Sequence, residues 1–444
     1  MSVLDRMNNP IPEDDDARKP PDAGREPRLV PAQLGARRVS LAALLEKVLT
    51  AFMAEHAGTP ALRKANTETK RLKLILETTN YVLAVESAHP SADVKAELIS
   101  TAYSELFGYG PLDALFLDER ITTIALEGTD KASVRYGHGE LTALPPLFED
   151  AAHLQRIIAR LLMDAGAELR EDQPYLEAGL MVAQRPVCVN VVAPPITLQL
   201  TADIRVHPKT PPSLEHLVTQ GFMTANAAEF LRALMSSPHG AMIVGDTESG
   251  KTTLLSVLSQ LLPTPETTTA VERAGELRLP TGVRRLVTRW AVGEQAGVSF
   301  GAQIGAALEG QPTCILLDEV RADEPTAITP LLASTECTRQ LWSFRGTAEV
   351  KRLQSALGML ARRADMAHGE AMAAALYKRL PFVITVRQRE SSLQLHSIGE
   401  WQFRDNADYP TYTLLMERRD GELVTTGAVP MHTLALSATF WGTH

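Results

Sequence analysis

The residues best suited to chemistry are the octad Gly245-Asp246-Thr247-Glu248-Ser249-Gly250-Lys251-Thr252, set between the apolar run AMIV and the helical pattern TTLLSVLSQLL. Its spacing is GxxxxGK[ST]. Glycines at the fixed positions let successive backbone N–H groups turn inward on a phosphate, and the helix that follows adds the positive end of its dipole. Lys251 is placed to neutralise the β- and γ-phosphate oxygens, Thr252 to offer its hydroxyl to Mg²⁺, and the loop positions Asp246, Thr247, Glu248 and Ser249 together with Thr253 complete the contact set. A second run, CILLDEVR, ends an apolar strand in two carboxylates. Asp318 then takes the metal side and Glu319 orients the attacking water. An apolar run closed by two acids is common at strand ends, so this reading depends on its pairing with the loop.

These groups need a strand before the loop, a helix after it and a second strand beside it, and the surrounding sequence supplies all three. From about residue 224 to 400, helical patterns alternate with β-branched runs, as in an α/β nucleotide-binding domain. Upstream, ITTIALEG, ASVRYG, VCVNVVAPP and LQLTADIRVHP read as strands around one amphipathic helix, FEDAAHLQRIIARLLMDAG, which predicts an α+β domain over residues 106–207. Residues 208–223 read as a proline-stiffened linker with a first helix, and 224–444 as the nucleotide-binding domain. Residues 38–105 carry helical periodicity, and 1–37, with their prolines and acidic triplet, read as a disordered tail.

Bulk properties limit the function classes. The formal net charge of -9 and the absence of an aromatic-basic stripe argue against nucleic-acid binding. Cys188, Cys314 and Cys337 are widely spaced without a CxxC pair, which suits a reducing compartment without structural zinc. With neither a signal-peptide pattern nor a run of about 18 uncharged apolar residues, the chain reads as cytoplasmic and reaches a membrane through a partner.

Taken in order, FGYGPLDALFLDERITTIALEG, ADIRVHPKTPPSLEHLVTQGFMTANAAEFLRAL, GDTESGKTTLL and LLDEVRADEP make the chain resemble the secretion ATPases of type II and type IV systems over about residues 95–400. The branch it resembles most powers tight-adherence pili. The resemblance implies an α/β chain in which an N-terminal helical segment and an α+β domain precede a RecA-like P-loop ATPase domain, with ATP and Mg²⁺ bound between the two domains. It implies a homohexamer working on an inner-membrane platform protein, peripheral to that membrane, with no nucleic acid as partner. It also carries over Arg205, Arg285 and Arg289 as arginines near the phosphates and Glu272 as a catalytic acid beside Glu319 and Lys251. The sequence departs from the pattern at several positions. Val206 replaces a second linker arginine, and Arg273 replaces an acid after Glu272, while Glu276 is kept. The two histidines of the family's histidine box fall on Cys337 and Arg345. Glu248 stands where the branch has glycine, which predicts a carboxylate repelling phosphate and slow turnover. The competing readings are a catalytically weak ring subunit that regulates such a machine, a nucleic-acid translocating motor, and a small-molecule kinase.

Overall fold

The computed structural model describes residues 29–30, 39–334, 338–347, 349–389, 392–403 and 409–442. The expected disordered tail, residues 1–37, lies outside them apart from Leu29–Val30. The chain forms two units, Met1–Gly110 and Pro111–His444. In the first, β1 (Leu29–Val30) pairs antiparallel with β2 (Val39–Ser40), and the helices are α1 (Leu41–His56), α2 (Pro60–Lys64), α3 (Glu68–Val85) and α4 (Ala92–Phe107). Ser40, Thr59, Thr67 and Ser91 cap them, each accepting a backbone N–H three residues on, which satisfies one of the donors a helix start leaves free. Leu44, Val48 and Phe52 recur every four residues on α1 and share a core with Ile75 and Val82 of α3 and Leu98 and Ala102 of α4.

The second unit opens with α5 (Leu112–Leu117) and an antiparallel sheet of β3 (Ile121–Glu127), β4 (Lys131–Tyr136), β5 (Leu141–Leu144), β6 (Tyr175–Val182), β7 (Arg185–Val192) and β8 (Thr201–Val206), in the order β5-β4-β3-β8-β7-β6. Between β5 and β6, α6 (Ala151–Asp164) buries Leu154, Ile157, Ile158, Leu161 and Leu162 along one face. Then come α7 (Leu214–Thr219), α8 (Ala225–Ser236), β9 (Ala241–Gly245), α9 (Lys251–Ser259), β10 (Thr268–Glu272), β11 (Arg284–Val287), α10 (Phe300–Glu309), β12 (Cys314–Val320), α11 (Thr329–Ala333), β13 (Arg339–Arg345), α12 (Val350–Ala364), α13 (Gly369–Arg379), β14 (Phe382–Arg389), β15 (Ser392–Gln402), β16 (Thr411–Arg419) and β17 (Glu422–Thr425). The nine strands lie in the order β11-β10-β12-β13-β9-β14-β15-β16-β17, parallel from β11 through β14 and antiparallel beyond.

Side chains alternate across this mixed sheet: Ala241 and Ile243 of β9 enter one core while Met242 and Val244 enter the other. Both faces are covered, which is why its parallel strands read as unbroken apolar runs. The expected α/β class, an N-terminal helical segment and an α+β domain followed by a RecA-like domain, is what the chain adopts, and the sheet of the α+β part is antiparallel. Leu214 and Leu217 of α7 lie in the mixed-sheet core. The carboxyl ends of β9, β10, β12 and β13 carry Gly245, Glu272, Asp318 with Glu319, and Arg345, at the edge where open α/β sheets bind ligands.

One buried cation holds the entry to the antiparallel sheet. Arg185, 2% exposed, donates through Nη1 to the Asp118 carbonyl at 2.8 Å, through Nη2 to the Ile121 carbonyl at 2.6 Å and through Nε to the His207 carbonyl at 3.0 Å. Arg185→Met keeps an apolar stem but strands these carbonyls, so it should lower unfolding stability by about 3 kcal/mol or more. Urea titration checks this, and a loss below about 1 kcal/mol would mean that water replaces the guanidinium.

Candidate nucleotide site

The loop from Gly245 to Thr252 joins β9 to α9, and its geometry suits an anion. Gly250 takes φ +90, a left-handed conformation that brings the first turn of α9 round to the loop, and no side chain caps that helix start. A Cβ on Gly250 would lie 2.9 Å from Leu393 Cδ1. Lys251 is buried, and its Nζ donates to the Asp246 carbonyl at 2.7 Å. Burial holds the Lys251 ammonium below its ordinary pKa, against the opposing pull of Glu319 and Asp318. Ser249 Oγ is buried with no hydrogen-bond partner. An orphaned hydroxyl, an uncapped helix start and a lysine bonded to the loop's own backbone together fit a phosphate.

Asp318 lies beside the loop at the end of β12. Its Oδ1 accepts from Thr252 Oγ1 at 3.2 Å and from Ser343 Oγ of β13. Burial, with Glu276 nearby, pushes the carboxyl up to about 6, and the Ser343 hydroxyl opposes that shift. The Thr252–Asp318 pair has the hard oxygen donors that Mg²⁺ takes. Glu319 lines the same cleft, with Arg321 Nε 3.8 Å from its Oε1.

The opposite wall comes from the antiparallel sheet, and between the walls lies a narrow, open cleft of about 120 Å³. Arg205 of β8 lines that wall. Its Nη2 donates to Glu276 Oε1 at 3.0 Å, Glu177 Oε1 at 3.2 Å and Cys188 Sγ at 3.2 Å. His207 Nε2 meets the other oxygen of Glu276 at 2.6 Å, and Arg205 and His207 hold the Glu276 carboxyl well below its usual range against strong desolvation. Glu177, Cys188 and Glu276 have the spacing of a metal-ligand set, but the Arg205 guanidinium touches all three and supplies the positive charge there.

Glu248 is turned away from the repulsive arrangement expected of it. Its Oε2 pairs with Arg135 Nη1 of β4, and its Oε1 accepts from Thr123 Oγ1 of β3 at 3.1 Å. Thr123, Arg135, His138, His207 and Gln388 line the cleft and were missed from sequence, because they sit on or beside strands and a linker with no motif spacing. The alternation of β4 was the available signal, since an arginine on a strand otherwise rich in small and apolar residues invites a partner.

Three expected residues are not brought to the cleft. Glu272 is fully buried at the end of β10; its Oε2 accepts from Leu277 N at 2.7 Å, and its Oε1 lies 2.8 Å from Arg285 Nε. Arg285 also donates to the Leu277 carbonyl, so the pair organises the turn after β10 instead of facing the loop. Arg289 lies along a separate cavity with Trp290 and Phe300. For the two arginines the reason is topological: β11 is the outer edge strand, and Arg285 on it and Arg289 just past its end lie away from β9. Arg345 ends β13 opposite Gly245 and bears electrostatically on Lys251, whereas Cys337 lies outside the described residues.

Residues 127–337 match the family model described as Type II/IV secretion system protein. A putative conjugal transfer protein of Mycobacterium tuberculosis is 29% identical over 237 residues, 52% of this chain and 66% of that one. The type IV secretion system protein PtlH of Bordetella pertussis is 28% identical over 197 residues, 39% of this chain and 57% of that one. The chain thus spans about two thirds or less of these relatives' lengths. Among solved structures, the VirB11 ATPase of the Brucella suis type IV secretion system, in complex with sulphate, aligns at TM-score 0.34 and 20% identity, covering 65% of this chain and 95% of that one. The pilus retraction motor PilT with bound ADP aligns at TM-score 0.42 and 16% identity, covering 70% and 81%.

The burial of Glu272 has a pH signature. Desolvation raises its carboxyl to about 8, against the opposing Arg285 charge and Leu277 N–H. A raised folded-state pKa gives stability that is complete below the unfolded value and lost as pH rises through the folded one. Wild type should therefore lose stability relative to Glu272→Gln between about pH 5 and 8, by up to about 1.4 kcal/mol per pH unit. Parallel pH profiles of the two proteins would contradict this.

Proposed function

We propose that this chain, whose residues 127–337 match the Type II/IV secretion system protein model, is a member of that family that binds ATP with Mg²⁺ in the cleft between its two sheets and hydrolyses it to drive a pilus or secretion machine. The observation that carries the reading is the phosphate cradle: Gly250 in left-handed backbone, Ser249 Oγ without a partner, and Lys251 held by the Asp246 carbonyl 2.7 Å away.

In this mechanism the loop N–H groups and the start of α9 bind phosphate oxygens, and Lys251 exchanges the Asp246 carbonyl for them. Thr252 and Asp318 would hold Mg²⁺, which supplies charge neutralisation between the phosphates when bound. Glu319 orients the attacking water and accepts its proton. Arg205 fixes the wall opposite the loop. The match to the secretion-system family model supports a homohexamer at the inner face of the inner membrane that acts on a platform protein. Among the described residues no helix is long and apolar enough to cross a membrane. Arg285 and Arg289, directed away from the chain's own loop, are read as arginines for the junction between protomers. The finer assignment to the tight-adherence branch rests on the ordered segments FGYGPLDALFLDERITTIALEG and ADIRVHPKTPPSLEHL.

Calorimetry with ATP and Mg²⁺ tests the reading. Lys251→Ala should weaken binding at least about tenfold, the value of one charge-assisted hydrogen bond. Glu319→Gln should keep the affinity and lower the hydrolysis rate at least about a hundredfold. Equal affinity in wild type and Lys251→Ala, or undiminished hydrolysis in Glu319→Gln, would overturn the corresponding assignment.

A further inference from the structure

Glu248 is at the crest of the phosphate loop with φ +59, the left-handed region that favours glycine. That backbone turn aims its carboxylate across the cleft at the antiparallel sheet, where it meets Arg135 Nη1 and Thr123 Oγ1. Arg135 and Glu248 are both largely covered, with side-chain exposures of 19% and 26%. Arg135 Nε is buried with no hydrogen-bond partner, so the carboxylate satisfies only part of the guanidinium fork. Both side chains line the cleft that holds Lys251, Thr252 and Glu319.

We infer that Glu248 is a resident anion of the phosphate cleft: it holds Arg135 until a nucleotide polyphosphate takes the guanidinium, so nucleotide entry exchanges one anionic partner for another. Arg135 thereby becomes a residue that reads the phosphate tail, and Glu248 sets how readily it does so. The inference rests on the ATP-binding reading above. It differs from simple repulsion, because a paired carboxylate presents little net charge to an incoming phosphate. It also differs from a fixed strut, because a strut would leave Arg135 on Glu248 throughout.

A double-mutant cycle read as ATP affinity by calorimetry, with Mg²⁺ present, separates these accounts. Glu248→Gln is isosteric and frees the guanidinium, so it should tighten ATP about five- to tenfold. Arg135→Gln in the wild-type background loses the phosphate contact but also removes the competition, so affinity should change by less than about threefold. The same substitution in the Glu248→Gln background should cost about tenfold or more, because no competitor remains to offset the loss. Arg135→Lys in that background keeps the charge and should recover part of this cost, which guards against a folding artefact. Unchanged affinity in Glu248→Gln, or no cost of Arg135→Gln in the Glu248→Gln background, would overturn the exchange. Lys251→Ala is measured alongside. If it binds ATP as wild type does, the cleft is not the nucleotide site and the functional reading itself fails; if it loses binding while the cycle shows no coupling, only the exchange is wrong.

Discussion

A single guanidinium, Arg205, sits where the two sheets of the larger unit meet and ties them together across the cleft beside the phosphate loop. Arg205 bonds Glu177 and Cys188 on its own sheet and Glu276 on the loop that follows β10, while Arg321, just past β12, returns to Glu177. His207 closes the circuit on Glu276. Buried ion pairs of this kind add little net stability, since desolvation offsets most of the attraction, but removing one member leaves a buried charge at a cost of roughly 3–5 kcal/mol. The network therefore acts as a constraint on position. Gly179 of β6 shows how close the approach is, because a Cβ there would lie 1.5 Å from the Ala274 carbonyl oxygen.

That seam gives the phosphate loop its electrical surroundings. Lys251, Arg135 and Arg205 face Glu319, Glu276 and Glu248 across a small volume, with Asp318 buried behind Thr252. Burial disfavours charge on both signs, lowering the pKa of Lys251 and raising that of Asp318. Each ion is tolerable only because another lies near it. Adding or removing one charge in such a site redistributes the pairings, which is why the glutamate in this loop is better understood through its arginine partner than through its distance to a phosphate.

The sequence made the loop and its acidic strand legible because both are local: a fixed spacing creates the cradle, and an unbroken apolar run marks a strand buried on both faces. The α/β class and the strand-like runs of an α+β domain ahead of it were readable from the same periodicities, whereas the antiparallel pairing of those strands was not. The far wall was not. Thr123, Arg135 and Glu248 are brought together across more than 110 residues by sheet packing, and no spacing rule encodes that. The family pattern suggested Arg285 and Arg289 for the phosphates, yet the edge position of β11 directs them elsewhere in the single chain. Resemblance carried the residue types, whereas strand order determined which of them could meet.

The central claim is that the cleft between the sheets, and no other cavity of the chain, receives the nucleotide's phosphates. A structure determined with Mg²⁺ and a non-hydrolysable ATP analogue tests it most directly. The account predicts phosphate density enclosed by residues 246–252, with Lys251 Nζ moved from the Asp246 carbonyl onto phosphate oxygens and the metal beside Thr252 and Asp318. Density for the analogue at the cavity beside Arg289 and Trp290, or a loop in which Lys251 still bonds Asp246 at saturating ligand, would contradict it.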